Sequence, residues 1–212
     1  MILHGYYRSS ASFRVRIALN LKGIDHIDMP WHLRNGAQLS DAFRAINPAQ
    51  LIPVLDDDGT LLTQSLAIIE YLDETHREPA FLPAGAADRA HVRGLAQSIA
   101  CDIHPIDNLR VLKYLRAHFA ADEEAIGAWY NHWIATGFAG VEAVLANDPR
   151  TGRFCFRDKP GLADIVLVPQ VVNAGNYNLD MSPYPTINRI FDACMTLPQF
   201  EKAHPRNQAD AE

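Results

Sequence analysis

Residues 6–14, Tyr-Tyr-Arg-Ser-Ser-Ala-Ser-Phe-Arg, crowd serine hydroxyls and arginine guanidinium groups into one short stretch. Residues 2–6 before it read as a strand, and residues 15–22 after it as a helix, so the stretch is a strand-to-helix turn. The first backbone N–H groups of a helix lack internal partners, and a serine here can cap them. The same convergence of N–H groups, hydroxyls and the positive helix end also suits an anion or a thiolate. Capping by Ser10 or Ser12 and binding of a charged ligand atom therefore both stand as readings.

Two further stretches carry chemistry. Leu51-Ile52-Pro53-Val54-Leu55 sets a proline in an apolar, β-branched run, where it would remove a ladder hydrogen bond from a central strand. It fits the start of a strand after a tight turn, and a cis Ile52–Pro53 bond suits such a turn. The Ile52 backbone is then free to pair with an extended, peptide-like ligand. Gln64-Ser65 opens the apolar helix Leu66-Ala67-Ile68-Ile69-Glu70-Tyr71-Leu72. Ser65 is a good N-cap, and with the first-turn N–H groups it can hold a carboxylate.

The elements that must position these groups follow in order. Gly23 stops the first helix. Residues 26–31 form a second strand parallel to the first, completing a βαβ unit. A short helix at 39–46 ends at Asn47-Pro48. Asp57-Asp58-Gly59 turns a hairpin from 53–56 to a strand near 61–63. The order is βαβαββα. Residues 75–88, with Pro79, Pro83 and Gly85, read as a linker.

Beyond the linker the periodicity is helical. Residues 89–117 repeat apolar positions every three to four, with a bend or break at Pro105. Residues 122–145 form a second long helix, with Trp129 and Trp133 as packing residues. Residues 162–171 read as a buried helix, with Asp164 returning to N–H groups near Gly161 in a capping box. A last helix covers 186–195, and the polar tail after Pro198 is expected to be loose. The expected domains are 1–80 and 88–212.

Composition narrows the function classes. The chain has 212 residues, 48% hydrophobic and 21% charged, with net charge −6. This is ordinary for a soluble protein and argues against non-specific nucleic-acid binding. No apolar run suits a membrane span and no signal peptide is visible, so a cytoplasmic location is expected. Cys101, Cys155 and Cys194 are odd in number and widely spaced, which suggests reduced thiols. Cys101 is expected to be buried. His26, His32, His76 and His118 are expected at the surface, and no metal site is indicated.

Together these pieces resemble the zeta-class glutathione transferases, the class of the maleylacetoacetate and maleylpyruvate isomerases. The matching stretches are residues 7–19, Asn47-Pro48-x-Gln50-x-Ile52-Pro53, residues 64–72, Ala163-Asp164 with residues 167–171, and residues 180–185. The resemblance covers nearly the whole chain. It implies a thioredoxin-like N-terminal domain, an all-helical C-terminal domain, a homodimer and glutathione as cofactor. It assigns Ile52 and Pro53 to the cysteinyl backbone of glutathione, and Gln64 and Ser65 to its γ-glutamyl carboxylate. Gln50 falls near the glycyl half, and His104 is a further contact. Ser9, assisted by Ser10, matches the thiolate stabiliser. Arg8 and Arg110 match binders of a substrate carboxylate, as does position 176.

The chain departs from the class at three places. Ala11 replaces a cysteine or threonine, and Gly161 replaces a serine or threonine cap. Asn176 stands where the isomerases carry arginine, so a donor without charge replaces a cation. The implied activity is glutathione-dependent cis–trans isomerisation of a maleyl-type keto acid in aromatic catabolism. A thiolate suits it, since it adds to an activated double bond and leaves after rotation. The alternatives are conjugation or dehalogenation of small α-halo acids, and a non-catalytic interaction module.

Overall fold

Strand β1 (Ile2–Gly5) is the centre about which the first part of the chain pairs. The computed structural model describes residues 1–212 as two units, residues 1–81 with 195–212 and residues 82–194. In the first, helix α1 (Ser10–Lys22) returns the chain to β2 (Ile27–Pro30), which pairs parallel to β1. Helix α2 (Asp41–Ile46) precedes β3 (Val54–Asp57) and β4 (Thr60–Thr63), which are antiparallel. Because β1 also pairs antiparallel with β3, the sheet order is β2-β1-β3-β4. Helix α3 (Ser65–Thr75) closes the unit.

Local chemistry accounts for these boundaries. Gly23 takes the left-handed conformation at φ 67° and ends α1, its N–H bonding Asn20 O. Gly59 at φ 89° turns the hairpin, its N–H held by Asp56 Oδ1 at 2.7 Å. Helix α1 begins at Ser10, five residues earlier than the hydropathy pattern alone suggests, because Ser9 is its N-cap. It buries Phe13, Val15, Ile17, Ala18 and Leu19 and packs on α3, which buries Ile68, Ile69 and Leu72. Loss of water contact by these aliphatic groups is the main source of stability here.

The second domain's expected limit at residue 212 is corrected. Residues 195–212 belong to the first unit, and the chain after Pro198 is not loose. Helix α9 (Pro198–Ala203) lies against α1, with Phe200 and Ala203 buried. Arg16 Nε donates to Ala203 O at 3.1 Å, and Asn20 Nδ2 to Gln199 O at 3.0 Å.

The second unit is helical. It contains α4 (Ala86–Gln97), a wide π turn over Ser98–Ile103, and α5 (Leu109–Phe119). The expected break near Pro105 therefore takes the form of an underwound turn and a short irregular link. Helices α6 (Glu123–Asn147), α7 (Leu162–Asn176) and α8 (Pro185–Met195) follow. Helix α7 is buried nearly throughout, which is why its sequence lacks an amphipathic alternation. Trp129 and Trp133 are half-buried and meet edge to face at 5.7 Å. Cys101 is exposed, contrary to expectation, because the π turn carries it outward while Ile99 and Ile103 point into the core. His32 is likewise not a free surface group: its Nε2 lies 2.8 Å from Glu212 and 3.4 Å from the Tyr6 hydroxyl.

Gly137 on α6 faces the buried Ile103, whose Cγ1 and Cδ1 fill the place a Cβ would take. Gly137→Ala gains about 1 kcal/mol of helix propensity. Overpacking costs about 1–3 kcal/mol, and Ile103 in its turn has little room to withdraw. Urea unfolding is expected to report a net loss of about 1 kcal/mol.

Candidate functional site

The sheet brings three chain segments to one edge of the first unit. Strand β1 ends there at Gly5, β3 begins there opposite His4, and β4 ends there with Thr63 opposite Val54. The residues just beyond these ends are the Ser9 turn, Ile52-Pro53 and Gln64-Ser65. Pairing register therefore gathers three of the stretches singled out in the sequence, although up to 56 positions separate them.

Ser9 N–H donates to Tyr6 O at 3.0 Å, closing a four-residue turn. Ser9 Oγ accepts from Ser12 N–H at 3.2 Å, so Ser9, rather than Ser10 or Ser12, is the cap. A hydroxyl carries one donor hydrogen and two acceptor lone pairs. The cap uses an acceptor, so the Ser9 hydrogen remains available to an anion at the helix's positive end. Capping and charge stabilisation are thus two faces of one group. Ser9 is half-buried, Ser10 and Ser12 are buried, and Arg8 is exposed.

Opposite the turn, Ile52–Pro53 is cis, as the sequence suggests. Gln64 holds φ 68° and ψ 115°, an unusual backbone for a non-glycine residue, and makes no side-chain cap on α3. Such outliers concentrate where a ligand is gripped. The first N–H groups of α3 have no intrahelical partners, so a carboxylate can take the cap's place. Ser65 is buried, and Arg14 Nη1 donates to its Oγ at 3.3 Å, tying α1 to the start of α3. Gln50, also at positive φ, lies beside Arg44: its carbonyl oxygen can accept from Nη2 at 3.2 Å and Nε at 3.3 Å.

Three predicted residues belong to the second unit. His104 is half-buried at the end of the π turn, its backbone N–H bonding Ile99 O at 2.9 Å. Arg110 is exposed in the first turn of α5, and Asn176 is exposed as the last residue of α7. Between His104 and Arg110, Asp107 is buried with neither carboxylate oxygen hydrogen-bonded, and burial raises its pKa to about 7.

Sequence reading missed Arg16 and Asp210. Arg16 is only 4% exposed on α1, and burial lowers its pKa to about 10. An arginine flanked by Val15 and Ile17 was the available signal. Asp210, whose Oδ2 accepts from Tyr7 N–H at 3.0 Å, gave none, because its partner is 203 residues away.

The chain is similar to known proteins along its whole length. The sequence profile of the glutathione S-transferase N-terminal domain matches residues 3–80. Over 211 residues the chain is 50% identical to the maleylpyruvate isomerase of a Ralstonia species, covering 100% of both chains. A holo structure of maleyl pyruvate isomerase, described as a bacterial zeta-class glutathione S-transferase, superposes with a TM-score of 0.99 at 50% identity and covers 100% of both chains. The maleylacetoacetate isomerase of Methylobacterium extorquens, solved with malonate and glutathione bound, gives a TM-score of 0.97 at 40% identity, again covering 100% of both. The chain belongs to the zeta class of the glutathione transferases, in the branch of the maleylacetoacetate and maleylpyruvate isomerases.

Proposed function

We propose that this protein is a glutathione-dependent cis–trans isomerase that converts maleylpyruvate or maleylacetoacetate to the fumaryl product. The observation that carries the reading is the Ser9 hydroxyl, whose acceptor side is occupied by the α1 cap while its donor hydrogen is free. Glutathione fits the residues present: an uncapped α3 start for a carboxylate, and a hydroxyl at a helix N-terminus for the sulfur.

When bound, glutathione supplies a thiolate that adds reversibly to the activated double bond. The chain's residues do the rest. Ser9, with Ser10 beside it, favours the charged sulfur by hydrogen bonding and by the α1 dipole. Ile52 and Pro53 align the tripeptide backbone, Gln64 and Ser65 hold its γ-glutamyl carboxylate, and Gln50 and His104 make the remaining glutathione contacts. Arg8 and Arg110 anchor the acid's carboxylates, with Asn176 as an uncharged donor. Ser65→Ala should raise the Kd for glutathione about tenfold, since one hydrogen bond to a charged group is worth about 1.5–3 kcal/mol. Isothermal titration checks it.

The reading also takes the protein as a cytoplasmic homodimer. The three cysteines are unpaired, in keeping with a reducing compartment, and no helix is long and apolar enough to cross a membrane. Sedimentation equilibrium tests the dimer.

Each acid should be assayed with and without glutathione. Conversion of at least one, dependent on the thiol, is expected, and conversion of neither overturns the proposal. Dehalogenation of small α-halo acids is the second reading. It is favoured by Asn176, which leaves one position without the charge that a second carboxylate would use.

A further inference from the structure

The turn that carries Ser9 is held from outside its own segment. Its peptide groups are divided between two side chains. Asp210 Oδ2 accepts from Tyr7 N–H at 3.0 Å. Arg16 Nη2 donates to Tyr7 O at 3.0 Å, and Nη1 reaches Tyr6 O at 3.5 Å. Arg16 is in turn held by the C-terminal segment, through Ala203 O. The N–H of Tyr7, the second residue of the turn, is thus held directly by the C-terminal segment, and its C=O by Arg16, which that segment holds in turn.

The charge arrangement supports the same picture. Arg16 is a buried cation on which the negative charges of Asp28 and Asp210 act. Asp210 therefore offsets the desolvated guanidinium and satisfies the Tyr7 amide at once. Around it the tail is itself fastened. Gln208 Nε2 donates to Lys202 O and His204 O at 2.8 and 2.9 Å, and Glu212 meets His32. All of these groups lie within the first unit.

We propose that Asp210 is a positioning residue for the reaction: by holding the Tyr7 amide it fixes the turn so that the Ser9 hydroxyl faces the sulfur site. The proposal rests on the role given to Ser9 above. Misplacement of a catalytic donor by a fraction of its bond length is enough to weaken it, which is why a distant hydrogen bond can matter.

Asp210→Ala, Asp210→Asn and a chain ending at Gln208 test it. The first readout needs no ligand: amide hydrogen exchange over residues 7–10 in the free protein. Asp210→Ala and the shortened chain should exchange there about tenfold faster than wild type, with helices α5 and α6 unchanged. The second readout is the pKa of the bound glutathione thiol, followed by thiolate absorbance. Loss of a carboxylate acts on that thiol by charge alone to lower its pKa. A rise of about one unit in Asp210→Ala therefore identifies lost positioning and not lost charge. In the isomerase assay kcat should fall about tenfold with KM for the acid within about twofold. Asp210→Asn keeps an acceptor oxygen without the charge, and should restore wild-type exchange and kcat, with a thiol pKa at or slightly below the wild-type value.

Wild-type exchange at 7–10 with an unchanged thiol pKa in both Asp210→Ala and the shortened chain overturns the proposal. So does an Asp210→Asn protein that behaves like Asp210→Ala. If the wild type isomerises neither acid while Asp210→Ala still loosens the turn and raises the thiol pKa, the assigned reaction fails and the positioning role stands.

Discussion

Ser9→Ala is expected to lower kcat for glutathione-dependent isomerisation about a hundredfold, the usual consequence of removing one preorganised donor from a developing or resting negative charge. The pKa of the bound thiol should rise in parallel, since the cap uses the Ser9 oxygen as an acceptor and leaves its hydrogen free to meet the sulfur. The same substitution removes the α1 cap, because Ser9 Oγ is what satisfies Ser12 N–H. That loss costs about 1 kcal/mol of stability. The two effects separate in Ser9→Gly. Glycine is an acceptable N-cap, within a few tenths of a kcal/mol of serine, but brings no hydroxyl. Ser9→Gly should therefore keep nearly the wild-type melting temperature and lose the same hundredfold in kcat. Wild-type turnover in Ser9→Gly would remove Ser9 from the mechanism. Full turnover with a lowered melting temperature in Ser9→Ala would leave the cap as its whole role.

The largest stability effect is expected at Asp164. Its carboxylate is fully buried and serves two backbone donors, Cys155 N–H at 2.8 Å and Gly161 N–H at 2.8 Å. The second bond is the capping box expected from the sequence. The first ties the loop before α7 to the helix start. Burial pushes the Asp164 pKa up, while the two N–H donors pull it down, and burial prevails. Asp164→Ala leaves both donors without partners inside the protein. Each costs about 1–3 kcal/mol, so a loss of about 3 kcal/mol is expected, or roughly 6–12 °C in melting temperature. Asp164→Asn retains one acceptor but turns an NH2 toward the other donor, and should recover less than half of the loss. Because both oxygens of the Asp164 carboxylate are taken up by the Cys155 and Gly161 amides, the glutathione thiol pKa in the folded variant should match wild type. A changed thiol pKa in Asp164→Ala would show that the residue acts on chemistry as well as on folding.

Much of the active region was legible because its signals are local. A cap needs only a serine ahead of a helix, and Gly23, Gly59 and Pro53 act on their own dihedral angles. The start of α1 and the hairpin therefore follow from neighbouring residues, whereas Ser65, expected as an N-cap, is the first residue of α3 behind Gln64, which makes no side-chain cap. The family resemblance then supplied the ligand, which no spacing rule could have named. Cys101 shows the limit of periodicity: the π turn over Ser98–Ile103 shifts the register by about one residue, so a position expected to face inward faces out.

The sequence by itself determined the order of elements as far as α3, the turn chemistry of Gly23, Gly59 and Pro53, and the class to which the chain belongs. Each of these rests on residues within a few positions of one another or on motifs held in common with relatives. Only the tertiary structure decided that Ile52-Pro53 and Gln64-Ser65 meet the turn at one sheet edge, and that the polar C-terminal segment holds that turn. These depend on strand register and on hydrogen bonds between residues as distant as Tyr7 and Asp210. Such pairings are selected by the free energy of the whole packed unit, and leave no trace in the local order of residues.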